Sequence, residues 1–182
     1  GGGVWRKETP RPRASSVALR GGVGPSAALG QRVRNRSRGT PKRVVFAEGE
    51  EESVIRAAAA FQNSGLGKAI LVGREEIIKA GIRRAGVEEH SLEIRVPHSA
   101  HDVQPYVEYL YKRMQRRGSL YRDSLRLVTN DRNVYAASML VRGDADAMVT
   151  GVTRNYADAL NDVRLLLDPA QGELPIGGIL IF

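Results

Sequence analysis

Short apolar runs alternate with longer segments of helical periodicity along most of this chain, from about residue 42 onward. The runs have the length and composition of buried strands, and the segments between them place apolar residues three and four positions apart. Such alternation predicts βαβ units and a mostly parallel sheet with helices on its faces. We therefore predict an α/β fold with three layers, α/β/α.

The predicted elements are assigned from this alternation. Strands are expected at 43–47, 68–72, 92–96, 145–149 and 176–181. Helices are expected at 50–62, 75–85, 103–114, 120–128, 133–141 and 155–167, and Asp102 is the predicted N-cap of the third of these. The last strand is apolar and needs neighbours on both faces, so we expect the fold to continue beyond Phe182 as a truncated domain.

Basic residues are concentrated at the N-terminus. Residues 1–43 contain eleven Lys and Arg but one acidic residue, Glu8, whereas the remainder contains 17 basic and 19 acidic residues. Residues 1–42 are rich in Gly, Arg, Ser and Pro and show no apolar period, so we interpret them as a basic disordered tail or a non-native segment. A nucleic-acid arm and a targeting peptide are the alternatives. Trp5 is the single large aromatic residue there, which disfavours a nucleic-acid partner.

Composition also excludes several classes of site. The chain has no cysteine, which rules out disulfides and thiolate metal sites. It has no apolar stretch of the roughly 20 residues that a membrane span requires. We therefore expect a cytoplasmic protein with no membrane partner. His98 and His101 are three residues apart, but Asp102 is the only acid close by, so we interpret them as loop histidines and predict no metal site.

Three turns follow predicted strands at the carboxyl edge of the sheet, where ligands bind in such folds. They are residues 47–49, 73–74 and 150–153. In the third turn, Gly151 allows close backbone approach, Thr150 and Thr153 offer hydroxyl groups, and Arg154 follows with a guanidinium suited to phosphate. This turn is the predicted anion site, and an ordinary β–α turn with capping threonines is the alternative.

Charged residues also cluster at two predicted helix ends. Glu50–Glu52 lie where acidic side chains complement the helix dipole, whereas Glu48 precedes Gly49 at a strand end and is expected to face the cleft. Dipole complementarity also accounts for a group of arginines near a helix C-terminus, which comprises Arg113, Arg116, Arg117 and Arg122.

Three stretches in the same order resemble the phosphate acetyl/butyryltransferase family. They are RVVFAEGEEESVIRAA (43–58), GKAILVGREEII (67–78) and ASMLVRGDADAMVTGV (137–152). The resemblance implies a domain of two α/β lobes, with residues 43–182 forming its N-terminal part. It also implies transfer of an acetyl or butyryl group between coenzyme A and phosphate, with acetyl phosphate as the acetyl product.

Further segments are similar to the C-terminal domain of bacterial NADP-dependent malic enzymes. They are TRNYA at 153–157, QRRG at 115–118 and the D-P-x-x-G pattern at 168–172. This similarity implies a regulatory domain that senses acetyl-CoA and builds a homo-oligomer. It places NADP and a divalent metal in the malic-enzyme part of the parent protein, outside these residues.

The chain departs from the family pattern at charged positions. The family's H-S-T-A-D-T-x-R-P segment aligns with residues 154–162, which places Asn161 at the family's arginine and Asp162 at its proline. Ser53 replaces the arginine of the opening motif. Asparagine lacks the charge that stabilises an acyl-transfer transition state, so we expect binding without transfer.

The resemblance and the spacing together give a candidate ligand site. It consists of Glu48, Thr150, Gly151, Thr153, Arg154, Asn155 and Asp158. The expected ligand is CoA or acetyl-CoA. An active transferase, in which Arg154 or Arg164 replaces the missing arginine, is the first alternative. Nucleic-acid binding through the tail is the second.

Overall fold

The structure, a computed structural model, describes residues 41–88, 91–98 and 100–169, with the side chains of residues 100–102 left aside. Its strands are β1 (Lys42–Phe46), β2 (Gly67–Val72), β3 (Glu93–Arg95) and β4 (Ala147–Val149). All pairings are parallel and the order is β3-β2-β1-β4, so Val45 of β1 lies between Ile70 and Met148. The predicted strand at 176–181 lies outside the described residues.

The helices of the described residues run close to the predicted ranges. They are α1 (Glu52–Asn63), α2 (Glu75–Ala85), α3 (Ala100–Met114), α4 (Tyr121–Asn130), α5 (Arg132–Arg142) and α6 (Tyr156–Arg164), with a 3₁₀ turn at Gln115–Arg117 after α3. The prediction of Asp102 as an N-cap is wrong, because α3 begins at Ala100 and an N-cap lies outside the helix.

The sheet has an apolar core on each face, as the two-residue period of its strands requires. One core joins β1 and β2 to α1 and α2 and is centred on Val44, Phe46, Ala69, Leu71, Ile55, Ile78 and Ile82. The other joins the same strands to α3, α4 and α5 and is centred on Val45, Ile70, Val72, Val107, Leu110, Val128 and Tyr135. The predicted three-layer α/β/α arrangement is therefore confirmed.

The order of the strands reverses between β1 and β4, the position at which open parallel sheets have their crevice. The chain moves from β1 outward through β2 to β3 and then returns to the opposite side of β1 to form β4. In open parallel sheets, ligands bind beyond the carboxyl ends of the strands at such a reversal. The turn after β1 and the turn after β4 flank this position, so the fold places two of the three predicted turns beside it.

Gly49 brings the turn after β1 against the end of β2. Its N–H donates to the carbonyl of Val72 at 3.1 Å. A Cβ at this position would lie 2.9 Å from both the nitrogen and the oxygen of Val72. Only glycine tolerates so close an approach of two backbones, and this approach sets the position of the adjacent Glu48.

Candidate functional site

The carboxylate of Glu48 is enclosed by the turn that follows β4. Its Oε2 accepts hydrogen bonds from the backbone nitrogens of Gly151 at 3.0 Å and Val152 at 2.7 Å. Its Oε1 accepts from the backbone nitrogen of Thr153 at 2.7 Å and from the Thr153 hydroxyl at 2.5 Å. Successive N–H groups that converge on one anion form a nest. The turn therefore has an anion-binding geometry, and the chain's own Glu48 occupies it.

Glu48 is ionised at neutral pH although it is only 3% exposed. Burial alone raises the pKa of Glu48, but the hydrogen bonds from Thr153, Val152 and Gly151 lower it by more, so the pKa lies below the ordinary value of 4.5. The turn depends on Gly151, whose φ of 111° lies in the region that favours glycine.

Arg154 is bound by two carboxylates of the same chain. Its Nη1 lies 2.6 Å from Asp131 Oδ2 and 2.7 Å from Asp162 Oδ2. Asn133 joins this group, since it donates to Asp162 at 3.1 Å and accepts from the Thr150 hydroxyl at 2.7 Å. The guanidinium thus links the turn to α5 and α6, and two negative charges oppose its single positive charge.

Asn155 and Asp158 form the start of α6. Asn155 is the N-cap, and its side-chain oxygen accepts from the backbone nitrogen of Asp158 at 2.9 Å. Its amide nitrogen in turn donates to the Asp158 carboxylate at 2.7 Å. Both side chains are exposed at the carboxyl edge, and their contacts are those that a helix start needs.

The remaining candidates lie further along α6. Asn161 and Arg164 are both exposed. At 1.5 Å per residue, they lie about 9 Å and about 14 Å along the helix axis from Asn155. The structure brings Glu48, Gly151 and Thr153 together, and it links Thr150 with Arg154 through Asn133 and Asp162. Asn161 is adjacent to Asp162, but its side chain is exposed, as is that of Arg164.

A second charged cluster at this edge was missed by the sequence analysis. Arg74 donates to Glu50 through its backbone nitrogen at 2.9 Å, Nε at 3.0 Å and Nη2 at 2.9 Å. Arg132 of α5 approaches the same carboxylate, with Nη1 3.4 Å from Oε2. The hydrogen bond from Arg74 is the main reason that the pKa of Glu50 falls to about 2. Arg74 lies in one of the three predicted turns, but Glu50 was interpreted only as a helix-dipole residue.

The remaining predictions concern Arg113, the loop histidines and membrane-spanning segments. Arg113 forms an ion pair with Asp168, so its role is tertiary as well as local. His98 is exposed in a turn after β3, and the described side chains include no group of three acidic, His or Cys residues arranged to hold a metal. Nor does any helix within the described ranges have both the length and the apolar character needed to cross a bilayer.

Known proteins match this chain over most of its length. The family model described as phosphate acetyl/butaryl transferase matches residues 28–182. An NADP-dependent malic enzyme of Rhizobium meliloti is 45% identical over 177 residues, which are 96% of this chain and 23% of that enzyme. A phosphate acetyltransferase of Bacillus subtilis is 23% identical over 85% of this chain and 47% of its own length. The chain thus spans about a quarter of the first relative and about half of the second.

Solved structures agree with the sequence matches. A phosphotransacetylase from Streptococcus pyogenes superposes with a TM-score of 0.74 and 25% identity, over 81% of this chain and 44% of that one. The resemblance drawn from the three sequence stretches is therefore confirmed. The family match covers well over half of the residues and the fold agrees with it, so this chain belongs to the phosphate acetyl/butaryl transferase family.

Proposed function

We propose that this chain is part of the regulatory C-terminal domain of an NADP-dependent malic enzyme, where it binds acetyl-CoA or CoA at its carboxyl edge without transferring the acyl group. The 45% identical relative is a malic enzyme, which supports the assignment of the parent. The observation that carries the loss of transfer is the placement of Arg154 between Asp131 and Asp162.

The chemistry of acyl transfer explains why this placement matters. When phosphate attacks the thioester, negative charge develops in the transition state on the carbonyl oxygen and then on the departing thiolate, and preorganised cations stabilise it. Asn161 supplies no charge at the family's arginine position. The nearest replacement, Arg154, directs Nη1 to two carboxylates, so its charge is already compensated by this chain. Ligand binding does not require such a cation, because it can rely on contacts that are equally strong in the ground state and in the transition state.

The parent enzyme would supply the remaining components. NADP and a divalent metal belong, in this proposal, to the malic-enzyme part, which oxidises and decarboxylates malate to pyruvate. The residues of this chain then contribute ligand sensing and contacts within a cytoplasmic homo-oligomer. The ligands in question are CoA thioesters and, at the same edge, phosphate or acetyl phosphate.

The test is a titration of the whole enzyme with acetyl-CoA. We expect saturable binding by calorimetry and a change in the rate of malate oxidation over the same concentration range. Acetate with 3′,5′-ADP serves as the control, because it presents the acyl group and part of the anionic end without the thioester that joins them. Absence of acetyl-CoA binding up to millimolar concentration would reject the regulatory assignment.

A further inference from the structure

Most of the hydrogen-bond donors at the predicted anion site are already bound to carboxylates of this chain. The three N–H groups of the turn after β4 are bound to Glu48. Arg154 is bound to Asp131 and Asp162. An anionic ligand at either place would have to displace a carboxylate and would meet net negative charge, which opposes its binding.

The cluster of Arg74, Glu50 and Arg132 has the opposite balance. Two guanidinium groups share one carboxylate, which leaves a net positive charge. The Arg74 side chain is 72% exposed and that of Arg132 is 32% exposed, whereas Glu50 is only 12% exposed. Within the described part of the chain, Arg132 Nη1 is shielded from solvent and makes no hydrogen bond, although it lies 3.4 Å from Glu50 Oε2. Its ion pair with Glu50 therefore leaves its hydrogen-bonding capacity unused, and a better-aligned acceptor would satisfy it.

We propose that Arg74 and Arg132 form the phosphate-binding subsite of this edge and that Glu50 competes with the ligand for both guanidinium groups. The subsite lies over the carboxyl ends of β1 and β2, beside the crevice, and it joins helices from opposite faces of the sheet. Its ligand is a phosphate or diphosphate group, as carried by a CoA thioester. This inference rests on the proposed function for the identity of that ligand.

The test measures binding of acetyl-CoA and, separately, of inorganic pyrophosphate to the whole protein. Arg132→Gln should weaken both by about tenfold, since an arginine contact to phosphate is a charge-assisted hydrogen bond. Arg74→Gln should weaken both by several-fold. Glu50→Gln should tighten both by several-fold, because glutamine keeps an acceptor oxygen but no longer neutralises the arginines. A purely structural role for Glu50 predicts no such gain.

The matched controls are variants of two residues in α1, which begins just after Glu50. Arg56 and Glu52 form an exposed ion pair at 2.7 Å in α1, with the same charges and no place in the subsite. Arg56→Gln and Glu52→Gln therefore change net charge equally and should leave both affinities within twofold. Circular dichroism of each variant checks folding, and the gain expected for Glu50→Gln cannot arise from misfolding.

The outcomes separate the two proposals. Unchanged affinities in Arg132→Gln and Arg74→Gln, with normal acetyl-CoA binding by the wild type, overturn the subsite and leave the proposed function intact. Pyrophosphate binding that depends on Arg132, without acetyl-CoA binding, supports the subsite and overturns the proposed function. If Glu50→Gln and Glu52→Gln change the two affinities equally, the effect comes from net charge alone, and this outcome overturns the subsite.

Discussion

Glu48→Ala is expected to lower the free energy of unfolding by about 3 kcal/mol, the upper part of the range for single substitutions. The change removes a charged acceptor of four hydrogen bonds. A hydrogen bond to a charged group contributes about 1.5–3 kcal/mol to stability. The total loss is smaller than four such contributions, because water can reach the exposed turn and replace some of the lost hydrogen bonds. Urea or thermal denaturation measures the loss, with the exposed Glu76→Ala as the control.

The Glu48 contribution also depends on pH in a defined direction. Its pKa is below 4.5 in the folded protein, so the carboxylate is held more strongly there than in the unfolded chain. The stabilisation is therefore fully present above pH 4.5 and is lost as the pH falls through the folded pKa. Glu48→Gln should show no such loss. Identical acid unfolding curves for the wild type and Glu48→Gln would contradict this explanation.

Arg154→Ala is expected to destabilise the fold by about 2 kcal/mol. The substitution leaves Asp131 and Asp162 facing each other without their shared cation. Removing one partner of a buried ion pair costs about 3–5 kcal/mol, and we lower this figure because Arg154 is 37% exposed and partly screened by solvent. The denaturation midpoint measures the change.

Arg164→Ala is the matched control for Arg154. It removes the same charge from the exposed end of α6 and should change stability by no more than about 0.5 kcal/mol. The alternative of an active transferase makes a different prediction, since it expects Arg154→Ala or Arg164→Ala to abolish turnover while stability is kept. An unchanged midpoint for Arg154→Ala would remove the structural role that we assign to this arginine.

Local patterns in the sequence were enough to predict the layers of the fold. The runs around Val45 and Ile70 are apolar on both faces, as buried parallel strands are, and the helices between them follow the periods of three and four. Helix ends were less predictable. For example, α3 begins at Ala100, two residues before the predicted N-cap Asp102, and helix ends commonly differ from a prediction by about one or two residues because terminal turns fray.

The candidate site required information that local patterns do not contain. Glu48 was expected to face the cleft, but its partners lie more than a hundred residues away and meet it only because β4 pairs with β1. The same applies to Arg154, whose partner Asp131 is the N-cap of a different helix. The sequence predicts an anion-binding turn, whereas the strand order determines which anion occupies it.

These contacts change the physical picture of the turn. Its N–H groups bind an internal carboxylate and its arginine binds two more, so the turn is held by contacts within the chain and carries a net negative charge. Positive charge at this edge lies instead with Arg74 and Arg132, on the other side of Glu50. This distribution of charge supports the proposed binding of a phosphorylated ligand without acyl transfer, because new negative charge at the turn would meet carboxylates rather than a free cation.

The most direct test of this account is the phosphate-dependent release of CoA from acetyl-CoA by the whole enzyme, at ligand concentrations that saturate binding. We predict a rate no higher than that of a heat-inactivated sample, because the charge of Arg154, the arginine beside the turn, is already compensated by Asp131 and Asp162. Turnover at about 1 per second or faster, a rate typical of enzymes, that is lost in Arg154→Ala would contradict the account.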